Sequence, residues 1–259
     1  MSAFSSSLRF LHSLRELEYL QEALSLGVLF TSHKVQFRPA ESLSDWQAIV
    51  GGVMPLLFSK LKQLGLPWES LSEVRRQALM SGLGSVSAQF PMICFTEIPD
   101  GRSITFHQYQ FGSYGLVVQR QWLDQNNADR VLYVGDNSAV SQRLYRLVAT
   151  ANILGMHKSP NDEPLFENLT TLGAIDLIGY VETRQNLEEL EWRIAGRHGV
   201  MGGPNDTRTR LALPLDSVET IFVKHETEIE GMRTLVGSLA LTQSTAWHPE
   251  VLCSTGADA

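Results

Sequence analysis

Seven short apolar runs constrain this chain more than any other feature: 91–95 (PMICF), 113–118 (SYGLVV), 130–135 (RVLYVG), 174–182 (AIDLIGYVE), 190–195 (LEWRIA), 209–215 (TRLALPL) and 218–223 (VETIFV). Each has strand length and is rich in β-branched, aliphatic or aromatic residues. The connections between them are unequal, and helices do not alternate with them regularly. That pattern excludes a doubly wound parallel sheet and predicts an α+β fold of mostly antiparallel sheets with flanking helices.

Helical periodicity marks the remainder. Residues 8–11 (LRFL) read as a short buried strand ending at His12. Ser13 then opens an S-L-R-E pattern, a capping box with Glu16 as the reciprocal partner. Leu14, Leu17, Leu20 and Leu24 follow at helical spacing, and Gly27 is a C′ stop. A second helix spans 44–64, with a kink or break at Gly51-Gly52 and Pro55. Others are predicted over 69–80, over 136–154 with Asp136 as N-cap, and over 226–241. Residues after 242 carry no clear pattern. Loops at 155–164 and 196–207 show no composition shift that would mark a border, so a single domain over 1–259 is expected.

Composition narrows the function classes. With 259 residues, 43% of them hydrophobic, the chain can bury a core. Its net charge of −7 and pI near 5.5 argue against a general binder of nucleic-acid phosphates. Cys94 and Cys253 stand far apart with no C-x-x-C, which argues against a disulfide framework or a cysteine-rich zinc site. Glu16 and Glu18 interrupt any secretory apolar segment, and no apolar run is long enough to span a bilayer. A cytoplasmic protein without a membrane segment is expected. The phosphate-loop, H-E-x-x-H and G-x-S-x-G signatures are missing. None of the seven histidines lies four residues from another, so no metal is expected.

Three blocks carry the candidate chemistry: His12 with its neighbours; residues 91–118, containing Cys94, Glu97, His107 and Tyr114; and residues 187–199, containing Glu189, Glu191, Trp192 and Arg193. On a strand Glu189, Glu191 and Arg193 share one face, and Trp192 points the other way, into the core. The two glutamates and the arginine suit an ordinary ion pair as well as a site. His12 suits packing next to a helix start, and Tyr114 suits a half-buried strand position. Glu97 is expected to face solvent at a strand end, and Cys94 to be a core residue. Arg38, Arg102 and Arg120 suit phosphate contacts or plain surface positions.

The order of these blocks resembles the AbiGi-type abortive-infection family. The resemblance rests on Pro91-Met92-Ile93-Cys94-Phe95-Thr96-Glu97-Ile98-Pro99, then His107, then Tyr114-Gly115. Glu189 to Ile194, the strand–turn–strand segment 211–223 and the opening 10–27 extend it. It implies a role in bacterial phage defence, some members being the antitoxin of a two-gene system, and hence a partner protein. More distantly, the layout is similar to histidine–tyrosine–glutamate ADP-ribosyltransferases, with His12, Tyr114 and Glu191 or Glu189 in the three positions. That likeness implies NAD as co-substrate and a ligand site that includes His12, Ser13, Tyr114, His107 and Arg193. A carboxylate at Glu191 would stabilise the oxocarbenium-like ribose formed as nicotinamide leaves. Tyr114 would stack on the nicotinamide ring, and His12 would fix a ribose hydroxyl. A catalytically silent antitoxin and a metal-dependent nuclease are the competing readings.

Overall fold

A computed structural model describes residues 8–37, 51–98, 111–135, 138–155, 176–183, 190–196 and 210–254. In chain order these form β1 (Arg9–Leu14), α1 (Leu17–Leu26), β2 (Val28–Leu29), β3 (Thr31–Phe37), α2 (Met54–Gln63), α3 (Glu73–Leu83), β4 (Val86–Ile98), β5 (Tyr114–Val118) and α4 (Arg120–Gln125). Then come β6 (Asp129–Arg130), β7 (Leu132–Tyr133), α5 (Ala139–Gly155), β8 (Val181–Glu182), β9 (Glu191–Ala195), β10 (Arg210–Leu211), β11 (Val218–Val223), α6 (Ile229–Gln243) and β12 (Glu250–Cys253). The chain is α+β, as the sequence predicts.

Eight strands make one sheet in the order β12-β11-β5-β1-β4-β9-β6, with β3 added along β4. Its pairings are antiparallel except β11 with β12. The thirteen-residue β4 is the spine. One edge pairs with β9 over Met92–Thr96. The other edge is shared: β3 takes Val86–Met92, and β1 takes Thr96–Ile98. Between them, on that edge, residues 93–95 have no strand alongside among the described residues, so the sheet splits there.

Both faces of the spine are covered, which explains its nearly continuous apolar run. One core joins Phe10, Ile93, Phe95, Leu116, Trp192 and Ile221 to α1 through Leu20 and Leu24, and to α6 through Met232 and Val236. The second packs Val35, Phe37, Phe90 and Met92 under α2 (Leu57, Leu61) and α5 (Tyr145, Val148). Tyr145 is fully buried and donates to the Leu83 carbonyl at 2.6 Å, tying α5 to the end of α3.

The structure corrects several local expectations. β1 runs through His12 and Ser13 to Leu14, so Ser13 caps nothing. Helix α1 starts at Leu17 with Glu16 at its N-cap and no side-chain cap. Pairing with β5 over Phe10–Leu14 outweighs the local capping signal. The expected stop is correct: Gly27 has φ +96° and its N–H bonds the Ala23 carbonyl. The break near Pro55 is also correct, since α2 begins at Met54 with the proline in its first turn. Within 174–182, Asp176–Tyr180 forms a 3-10 helix and only Val181–Glu182 is strand. Gly179 and Val181 there turn their carbonyls to Arg193 rather than to a ladder. In the described part of 209–215, residues 210–215, only Arg210–Leu211 pairs, and Pro214 then leads into a 3-10 turn. Residues 250–253 form a parallel edge strand.

Glu97 is buried rather than solvent-facing. The Trp192 indole N–H donates to its Oε2 at 2.8 Å, and Arg130 Nη2 donates at 3.3 Å. Those partners stand on β9 and β6, out of reach of any local pattern.

Candidate functional site

The split in the sheet opens into a cavity of about 770 Å³. Its walls come from the end of β1 (His12, Ser13), from β3 (Thr31, His33), from the part of β4 paired only with β9 (Cys94, Phe95) and from β9 (Glu191, Arg193). Tyr19 on α1, Tyr133 on β7, Glu182 on β8 and Phe111 add to the lining, together with the charged side chains of Arg15, Glu22 and Arg210.

His12 lies where β1 parts from β4. Its Nδ1 is 2.9 Å from the Cys94 carbonyl oxygen. A carbonyl only accepts, so Nδ1 carries the proton and donates, and Nε2 is a bare acceptor. Nε2 has no hydrogen-bond partner among the described residues. Burial lowers the His12 pKa, opposed by the bond to Cys94, so the ring is neutral. The neutral ring packs against Phe95, with centroids 5.4 Å apart. His12 thus closes the stretch of β4 paired only with β9 and offers one acceptor nitrogen at the cavity wall.

The opposite wall is a hydrogen-bonded cluster around Arg193, whose side chain is about 1% exposed. Its Nε donates to Glu191 Oε1 at 2.7 Å. Its Nη2 donates to Glu191 Oε2 at 3.1 Å and to Glu182 Oε2 at 3.0 Å. Nη1 donates to the carbonyls of Gly179 (3.2 Å) and Val181 (3.1 Å). All five donors are used inside the protein. Burial works against the guanidinium charge, but the bonds and charge of Glu191, with Glu182 adding, hold its pKa above the ordinary arginine value. Arg193 is therefore a strut that fixes two carboxylates and has no donor left for a ligand phosphate.

Glu191 also accepts from the Tyr133 hydroxyl on Oε2, at 3.4 Å. The Cys94 thiol hydrogen-bonds the same carboxylate, so Glu191 has donors from Arg193, Tyr133 and Cys94 around it. Glu182 accepts from His33 Nε2 at 3.3 Å and from the Thr183 N–H at 3.0 Å. Two carboxylates against one guanidinium leave the cluster net negative while His33 is neutral. Cys94 is half-buried beside Glu191 and Arg193; desolvation first, then Glu191, pushes its thiol up to about 12. That thiol stays protonated and is no nucleophile.

The structure thus brings His12, Ser13, Glu191 and Arg193 to one cavity. Tyr114 is elsewhere: its ring belongs to the core under α1 and α6, and its hydroxyl donates to Glu228 Oε1 at 3.0 Å. Burial and Glu228 push its pKa up to about 12. The aromatic side chains at the cavity are Tyr19, Tyr133, Phe95 and Phe111. His107, Glu189, Arg38 and Arg102 lie outside the described residues. Arg120 sits over the Trp192 ring, 4.2 Å from its centroid, and pairs with Asp124. Sequence reading missed His33, Glu182 and Tyr133. For His33 a signal existed: in 31–37 Val35 and Phe37 are buried while Lys34 and Gln36 are exposed, the alternation of a half-buried strand.

Comparison with known families meets the same segment. Residues 75–210 match the family model described as abortive phage resistance protein AbiGi, antitoxin. The chain belongs to the AbiGi family. The matched span holds β4, β9 and the Arg193 cluster, while β1 and β3, which carry His12 and His33, precede it. No curated protein and no solved structure matches this AbiGi member. Among its described residues no helix is long and apolar enough to cross a membrane, and no group of three or more His, Cys, Asp or Glu side chains could hold a metal ion.

Proposed function

We propose that this AbiGi antitoxin counteracts its toxin partner through chemistry on a small ligand held in the split-sheet cavity, with NAD as co-substrate. The observation that carries this reading is that His12 and Glu191, far apart in sequence, line one cavity with complementary polar equipment. His12 Nε2 is a bare acceptor beside the negative Glu191 carboxylate, which suits a ligand hydroxyl such as one of a ribose diol. The net negative carboxylate cluster favours positive charge nearby. That suits the nicotinamide ring in the ground state and the ribose cation as the glycosidic bond breaks. In this reading Glu191 stabilises the ribose cation, Arg193 and Tyr133 hold it in place, and His12 positions a hydroxyl. An aromatic at the cavity, Tyr133 or Tyr19, takes the stacking role first expected of Tyr114.

The test is release of nicotinamide from NAD by the purified protein. The wild type is expected to turn over, and Glu191→Gln to lose activity by about 10²-fold or more at a temperature where it remains folded. Absence of wild-type release, with and without the partner toxin, contradicts the reading.

A second reading has its own support: Arg193 spends every donor internally, as a purely structural strut would. The chain is then a catalytically silent antitoxin that neutralises by binding. Under that reading Glu191→Gln protects cells from the toxin as well as the wild type does.

A further inference from the structure

Beyond Glu191 the cavity holds a second carboxylate-based group, the pair His33–Glu182. We propose that His33 is the general base of this cavity, taking the proton of a hydroxyl nucleophile that attacks the ribosyl carbon; this rests on the NAD reading above. Glu182 is fixed from two sides, by Arg193 Nη2 at 3.0 Å and by the Thr183 N–H at 3.0 Å. It therefore presents Oε2 to His33 Nε2, 3.3 Å away, in a set orientation. A carboxylate accepts, so the neutral ring carries its proton on Nε2 and leaves Nδ1 as an acceptor. Nδ1 has no hydrogen-bond partner among the described residues. The His33 side chain is 31% exposed and lines the cavity, so solvent reaches it. Glu182 and Glu191 are both bonded to one guanidinium nitrogen, which places the His33 pair only two hydrogen bonds from the carboxylate assigned to the ribose cation.

This division of labour matches the chemistry. The C1′–N bond of NAD breaks with its electron pair leaving on nicotinamide, which departs neutral. A lone pair of the acceptor oxygen forms the new C1′–O bond. The acceptor's proton moves to His33 Nδ1, and Glu182 stabilises the imidazolium so formed. The proton then passes to solvent. With water as acceptor the products are ADP-ribose, nicotinamide and one proton. Glu191, clamped by Arg193, is relieved of proton transfer.

The experiment compares wild type, His33→Ala, His33→Gln and Glu191→Gln for nicotinamide release and NAD-induced thermal stabilisation. Loss of the His33 base is expected to lower kcat by about 10²-fold with KM and NAD stabilisation retained. Added imidazole is expected to restore turnover to His33→Ala and to leave Glu191→Gln inactive. An active wild type whose His33 variants keep kcat within about twofold overturns this assignment and leaves the NAD reading standing. A wild type that neither binds nor cleaves NAD overturns both.

Discussion

At residue 12 an imidazole stands where a neighbouring strand would otherwise bond β4. Because its Nδ1–H is committed to the Cys94 carbonyl and desolvation of the half-buried ring penalises the charged form, His12 folds in its neutral form. Its folded pKa lies below the unfolded value of 6.5, so the unfolded chain binds the extra proton first. The stability tied to neutral His12 is complete above pH 6.5 and is lost as pH falls toward and through the folded pKa. His12→Asn keeps a donor for Cys94 and removes the titration. The expected outcome is a shallower decline in unfolding free energy between pH 7 and pH 5 than the wild type shows, measured by urea denaturation. Arg193 makes a stronger statement at the same scale. Replacing it by Met leaves Glu191 and Glu182 close together without their shared cation, and is expected to cost about 3–5 kcal/mol in a denaturant titration. Sequence had already placed Glu191 and Arg193 on one face. It could not show that Arg193 also takes Glu182 and two carbonyls, because those partners come from a 3-10 turn and short strand that read as one long strand.

At the scale of elements, strands whose hydrophobic pattern matches their burial were legible to within a few residues: β9 and β11 are examples. Failures came where a partner far along the chain decides. Ser13 has a capping signature yet lies in β1 because β5 pairs with it. β3 was overlooked although it makes the longest pairing with β4 and delivers His33. Gly27 is a junction where the local signal and the tertiary need agree. Its φ is +96°, and a Cβ there would lie 2.4 Å from the Leu211 carbonyl oxygen on β10. Gly27→Ala is therefore expected to destabilise by more than about 1 kcal/mol, through both the backbone conformation and the displaced β2–β10 pair, read from the shift in denaturation midpoint. Trp192 links β9 to β4 through the Glu97 carboxylate. Trp192→Phe keeps most of the packing but removes a donor from a buried acid, and is expected to cost about 1–3 kcal/mol by the same measurement.

For the whole molecule, the α+β class followed from unequal connections between strands. The split of the sheet did not, since it depends on β1 and β3 sharing one edge of β4, a matter of long-range pairing that no periodicity records. The candidate site inherits that limit: His12 and Glu191 were legible as candidates, while the cavity that joins them and the exclusion of Tyr114 from it are consequences of topology. All of this chemistry requires that the cavity be a ligand site. Calorimetric titration of NAD into the purified wild-type protein tests it most directly. Saturable binding at one site per chain, weakened in the Glu191→Gln variant, is the expected result; no heat of binding at millimolar NAD, from a wild-type protein shown to be folded, contradicts it.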